Sequence, residues 1–112
     1  MQITFATPEI EKLCTDAKYQ RRKLSQDEAK GVQRRYNQLR GAETVGELAH
    51  QPGKWHPLVG DRAGEYGGHV TRNKRMVIRG VDEAGLNKQW NECRAIEILE
   101  VNFDYHGKGG RR

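Results

Sequence analysis

An α+β fold is predicted, with two helices packed on one face of an antiparallel sheet. Three observations predict it: a β-forming segment near the start, two helical periodicities with their own start signals, and three strand-like segments confined to the second half. Residues 2–5 alternate polar and apolar and stop at Thr7-Pro8, which reads as a first strand followed by a helix with Thr7 at its N-cap and Pro8 at N1. Ile10, Leu13, Cys14 and Ala17 then fall at the i, i+3, i+4, i+7 positions of a short helix with one buried face. A second start, Ser25-Gln26-Asp27-Glu28, has the form of a capping box. Ala29, Val32, Tyr36 and Leu39 continue its apolar stripe, so a helix is expected over 26–40 with a stop at Gly41.

Residues 42–49 suggest a helical turn before the break at Pro52-Gly53. Segments 65–72, 74–79 and 95–104 read as strands, the first two joined by a tight Thr71-Arg72-Asn73-Lys74 connection. In the last, Ile96 and Ile98 alternate against Glu97, Leu99 and Val101; both sets hold large apolar residues, so this strand should be central. The connection 80–94 is long for a hairpin and is left open as a loop or a carrier of a short helix near 86–90. One domain over 1–106 and a flexible basic tail over 107–112 complete the expected organisation, with the sheet face away from the helices free for a ligand.

Net charge is +5 and only 35% of the residues are hydrophobic, so the core is small and a polyanionic partner is favoured, nucleic acid first. Residues 17–40 concentrate this charge, eight Lys and Arg against Asp27 and Glu28. Such a stretch is either a solvated face, a docking surface for an acidic partner, or an RNA contact. No apolar run approaches a membrane span and the N-terminus has no secretory pattern, so a cytoplasmic protein is expected. Cys14 and Cys93 are read as two thiols in a reducing compartment; they lack metal-ligand spacing, and neither a metal nor a cofactor is expected.

Chemistry concentrates in two islands, Trp55-His56-Pro57-Leu58-Val59-Gly60-Asp61-Arg62 and Asp104-Tyr105-His106, with Arg72, Lys74, Arg75 and Arg79 between them. Together they hold imidazoles, a carboxylate, a phenol and guanidinium groups. RNA cleavage by an internal nucleophile needs those types: a base for the 2′-oxygen, an acid for the 5′-oxygen and positive charge on the phosphorane. His106 or Asp104 suits the base, Arg75 suits two phosphate oxygens, His56 suits the acid, and Tyr105 suits base stacking or the 2′-oxygen. Acid and base are not assigned between the histidines. Each has a plainer alternative: His56 bonded to backbone in an extended segment, Asp104 capping a strand end, Tyr105 in the core. Trp55 and Tyr66 are read as packing residues, His50 and His69 as surface or sheet residues, and Glu47 and Asp61 as loop anchors.

Gly46-Glu47-Leu48, the block from Trp55 to Tyr66, Asn73-x-Arg75, Arg79 and Asp104-Tyr105-His106 resemble the RelE/ParE superfamily of type II toxins, in particular its HigB-like branch of the plasmid-maintenance-killer type. The resemblance covers nearly all of 2–106 and is most specific in the His-Pro-Leu-x-Gly-Asp and Asp-Tyr-His blocks. It implies a RelE-like β-α-α-β-β-β fold and a metal-independent endoribonuclease that cuts messenger RNA on the 70S ribosome, leaving a 2′,3′-cyclic phosphate. It also implies a HigA-like helix-turn-helix antitoxin as partner. The family's active-site roles fall on His56, Arg75, Asp104, Tyr105 and His106. A lysine usual three residues after the first histidine is replaced by Val59, so Lys54, Arg62 and Lys74, with Arg72 and Arg79, are the candidate RNA and phosphate contacts. Arg34 and Arg35 are the candidate antitoxin contacts. The alternatives from other classes are a ParE-like protein that inhibits a DNA topoisomerase without catalysis, and an inactive RNA-binding module.

Overall fold

The computed structural model describes residues 1–81 and 92–104. Strand β1 (Gln2–Phe5) leads into helix α1 (Pro8–Thr15), where Thr7 caps the N-terminus by accepting from the Ile10 N–H. The single short helix expected here is two. Asp16 ends α1 by donating its N–H to the Lys12 carbonyl, and its carboxylate accepts from the Tyr19 N–H to start α2 (Ala17–Lys23). One residue thus caps both helices, and Ala17 belongs to the second. Helix α3 (Gln26–Gly41) opens with the predicted capping box, Ser25 Oγ accepting from Glu28 N–H and Glu28 Oε1 from Ser25 N–H.

The turn expected over 42–49 is a 3-10 turn at Val45–His50. Strand β2 (His56–Pro57), β3 (Tyr66–His69), β4 (Lys74–Val81) and β5 (Ala95–Asp104) complete one sheet in the order β1-β5-β4-β3-β2. β5 is interior, as its two apolar sets required. β3 is shorter than expected and leaves Arg72 in the turn, and β2 is an additional strand. The sheet is mixed, since β1 runs parallel to β5 while the other pairs are antiparallel. Strand alternation carries no information about direction; the three helices return the chain so that β1 and β5 align in parallel.

One core lies between helices and sheet: Cys14, Val32 and Leu39 meet Tyr66, Met76, Ile78, Ile96, Ile98 and Val101. Val101 was expected on the face of Leu99, opposite Ile98. Two irregularities in the β4–β5 register change that: Ile78 pairs with Ile98, Val77 with Glu100 and Arg75 with Phe103, so β5 advances further than β4 across each shift. Bulges of this kind change the phase of the following residues, which turns Val101 into the core and Phe103 toward the other face. The expected short helix near 86–90 and the tail over 107–112 lie outside the described residues. Among the described residues no helix is long and apolar enough to cross a membrane.

Candidate functional site

The sheet face away from the helices is partly covered by the segment from Lys54 to Glu65, and the space between them is a cleft of about 440 Å³. Its walls are His56, Pro57, Leu58, Val59, Asp61 and Arg62 from that segment, and Arg75, Val77 and Phe103 from β4 and β5. The entry to the segment is a left-handed pair, Gly53 (φ 111°) and Lys54 (φ 51°). A β-carbon on Gly53 would run into the Arg35 guanidinium, so glycine is required there by both its backbone and its neighbour. Past this bend Trp55 turns into the core and His56 to the opposite face. Trp55 Nε1 donates to Gln38 Oε1 at 3.0 Å, and Gln38 Nε2 donates to the Pro52 carbonyl at 2.7 Å, pinning the loop to α3. Trp55 and Tyr66 are the packing residues they were expected to be.

His56 Nδ1 lies 2.8 Å from the Lys54 carbonyl. A carbonyl only accepts, so Nδ1 carries the proton and the neutral ring keeps a bare Nε2 able to take one. The backbone contact considered as the plain alternative therefore coexists with a usable imidazole. Arg75 is only 6% exposed; its Nη1 donates to the carbonyls of Thr71, Arg72 and Lys74 at 3.3, 3.0 and 3.2 Å, so the guanidinium also closes the β3–β4 turn. Val77 is fully buried yet outside the helix-side core, forming the apolar floor beside Arg75.

Arg62 bridges the two walls. It pairs with Glu65 and, at 2.9 Å, with Glu100, and its guanidinium lies 4.8 Å from the Phe103 ring centroid. Two carboxylates thus share its charge. Val59, at the position of the usual lysine, is 85% exposed on the rim.

The cleft gathers His56, Arg75 and Arg62 but not every candidate. Asp104 pairs with Lys74 in register, on the opposite face from Phe103, and Lys74 Nζ sits 3.9 Å from Asp104 and 4.0 Å from Glu28. Glu28 is held below the usual carboxylate range, chiefly by the Ser25 N–H, helped by Asn102 and Lys74 and opposed by burial. Arg79 pairs with Glu97 at 2.8 Å, further along β4 from the cleft. Arg72 is exposed in the β3–β4 turn, and Lys54 lies at the bend before His56. Tyr105 and His106 lie outside the described residues. Glu47 anchors its turn by accepting from the Glu43 N–H, while Asp61 lines the cleft.

Of the proposed antitoxin contacts, Arg34 is exposed, whereas Arg35 is 9% exposed and donates to Gln38 at 3.0 Å. Arg35 is therefore a packing residue whose charge faces inward, a correction to the sequence expectation. Its place three residues before Gln38 on the α3 stripe that faces the loop was the available signal. Phe103, Val77 and Leu58 were missed as site residues. Alternation from Arg75 would have found Val77, but Phe103 depended on the bulges. Among the described residues no group of three or more His, Cys, Asp or Glu could hold a metal.

No family profile matches the chain, and no curated protein matches it. Solved structures do. A YoeB/ParE toxin from Agrobacterium tumefaciens is 17% identical with a TM-score of 0.55, over 94% of this chain and all of that one. YoeB from Staphylococcus aureus, solved as a YoeB-YefM complex and as a YoeB dimer, is 20% and 18% identical with TM-scores of 0.56 and 0.55, each over 94% of this chain and 98% of that one. At such identities the likeness speaks for architecture alone: the chain has the α+β fold of the YoeB and YoeB/ParE toxins.

Proposed function

We propose that this chain is the toxin of a type II toxin-antitoxin pair, of the HigB-like branch, and that it cleaves messenger RNA on translating ribosomes. The observation that carries the reading is the cleft that brings an imidazole, His56, held through Nδ1 by the Lys54 carbonyl, to the same sheet face as a buried guanidinium, Arg75. The toxin fold and the net charge of +5 support it.

In this reading the 2′-hydroxyl attacks the adjacent phosphorus. The 2′-O–P bond forms and the P–O5′ bond breaks; a base takes the 2′-proton and an acid delivers one to the 5′-oxygen, leaving a 2′,3′-cyclic phosphate and a 5′-hydroxyl. Arg75 neutralises the phosphorane oxygens, and His56 serves as one partner of the proton transfer through Nε2. Tyr105 and His106 follow in sequence from the strand that supplies Phe103 to the cleft, and supply the other partner. Asp104, paired with Lys74 on the face opposite Phe103, stands outside the cleft lining. The chemistry has few strong acid-base groups, which is why the ribosome is assigned the task of holding the messenger in line.

The antitoxin, a helix-turn-helix protein of the HigA type, docks on the helical side and engages Arg34. One structural neighbour was solved as a YoeB-YefM complex, which supports a dedicated protein partner.

Mapping the 5′ ends of messenger fragments with and without translating ribosomes tests the reading. Cleavage only with ribosomes, lost by about 10²-fold or more in His56→Ala and Arg75→Ala, is the expected result. Efficient cutting of naked RNA would remove the ribosome from the reading; inhibition of a DNA topoisomerase with no messenger cleavage would replace it by the ParE-like one.

A further inference from the structure

The sheet register puts one more imidazole beside the cleft. His56 faces Gly67 across β2–β3 and His69 faces Arg75 across β3–β4. Cross-strand partners share a face, as do residues two apart along a strand, so His56, His69 and Arg75 stand on one face with Gly67 between them. The Val70 N–H donates to the Lys74 carbonyl at 2.9 Å, which makes the next pair the hydrogen-bonded one. His69 and Arg75 are then a non-hydrogen-bonded pair, the kind whose side chains approach more closely. On its other side the His69 N–H donates to the Gly53 carbonyl at 2.8 Å, next to Lys54.

His69 is half-buried, and the groups that act on it electrostatically are all basic: Arg75 from β4, Lys54 from the bend, His56 from β2 and Arg35 from α3. Burial first, and then these basic groups, Arg75 foremost, hold its imidazole below the ordinary histidine value. A neutral imidazole among four basic groups is complementary to an anion, because an anion both screens the cations and accepts the hydrogen bond of the protonated ring.

We propose that His69, together with Lys54, contacts the RNA phosphate adjoining the one engaged at His56 and Arg75, and takes up a proton as that phosphate docks. His69 lies beside the cleft lining, one cross-strand step from Arg75. The proposal rests on the RNA-cleavage reading and adds a subsite to it. It also revises the expectation that His69 is a bystander of the sheet.

The test is a pH titration of the histidine Cε1–H resonances of the whole protein, alone and with a short 2′-O-methyl oligoribonucleotide, which binds but has no free nucleophile. The midpoint of His69 should rise by about one pH unit or more, a tenfold gain in proton affinity, while that of the exposed His50 stays in place. His69→Gln should weaken oligonucleotide binding several-fold at about pH 5.5 and hardly at all at about pH 8, where the parent ring must first acquire its proton. An oligonucleotide that moves the His56 resonance and leaves His69 unmoved overturns the subsite while keeping the cleft, and one that moves neither overturns it as well. A shifted His69 in a protein that cuts no messenger would keep the subsite and remove the nuclease reading, so the two failures are separable.

Discussion

Arg75→Ala should cost stability as well as activity, because the side chain that reaches the cleft also ties down the β3–β4 turn. In the parent one guanidinium nitrogen donates toward three turn carbonyls, those of Thr71, Arg72 and Lys74. Nη1 has two protons, so the three contacts amount to about two full bonds, each worth roughly 1.5–3 kcal/mol when the donor is charged. Arg72 is exposed, so water re-solvates part of the turn after truncation and reduces the low end of that sum to about 2–3 kcal/mol. For a domain of this size that is a fall in Tm of roughly 8–15 °C. Arg75→Lys keeps the charge but loses the fork, and should recover only part of it. Circular-dichroism melts of the three proteins supply the measurement, and cleavage should be compared at a temperature where all are folded. On the proposed mechanism the loss in Arg75→Ala there should still be about 10²-fold or more, as expected for a transition-state contact. A melt within about 2 °C of the parent would show that the turn contacts carry no net free energy, and the double role assigned to this residue would be wrong.

Gly31→Ala should destabilise by about 1–3 kcal/mol, because a β-carbon there would sit less than 3.0 Å from the Val70 backbone carbonyl, while Gly41→Ala, with nothing within 4 Å, should be neutral or gain up to about 1 kcal/mol; denaturant melts giving both the same sign would refute the close approach of α3 to the sheet. Stability should fall on acidification: the unfolded chain protonates His69 first as pH drops past 6.5, and the Glu28 contribution, complete above 4.5, is lost as pH falls through its lower folded value. Tm measured from about pH 7.5 to 4 should decline, with a shallower first step in His69→Gln. Cys14, with its thiol pushed up to about 12 by burial, should resist iodoacetamide at about pH 8 in the native protein and react once denatured, as mass spectrometry would show.

Local signals made much of this molecule legible. Caps and periodicities lie within a few residues of what they determine, so Thr7-Pro8, the Ser25 capping box and the apolar stripe through Val32 and Leu39 located α1 and α3 directly. The run 95–104 declared an interior strand by having apolar residues on both faces, and it occupies that place. Asp16 shows the limit of such reading. A lone acidic residue inside an apparent periodicity looks like surface, and its capping of two helices appears only once the chain bends there.

The sequence by itself determined the fold class, the starts of α1 and α3, the interior strand and two chemically loaded islands, because each rests on spacing within a short window. Only the tertiary structure decided which charges meet. Arg75 and His56 are nineteen residues apart and share a cleft because β2, β3 and β4 stack in register; Asp104 is turned toward Lys74 because bulges opposite Val77 change the phase of β5. Arg34 and Arg35 are adjacent in sequence, yet one meets solvent and the other supports the loop beneath Trp55. The physical reason is the same in each case: a side chain's direction depends on strand phase and helix rotation, which long-range pairing and packing fix, whereas residue type and spacing specify only the local element.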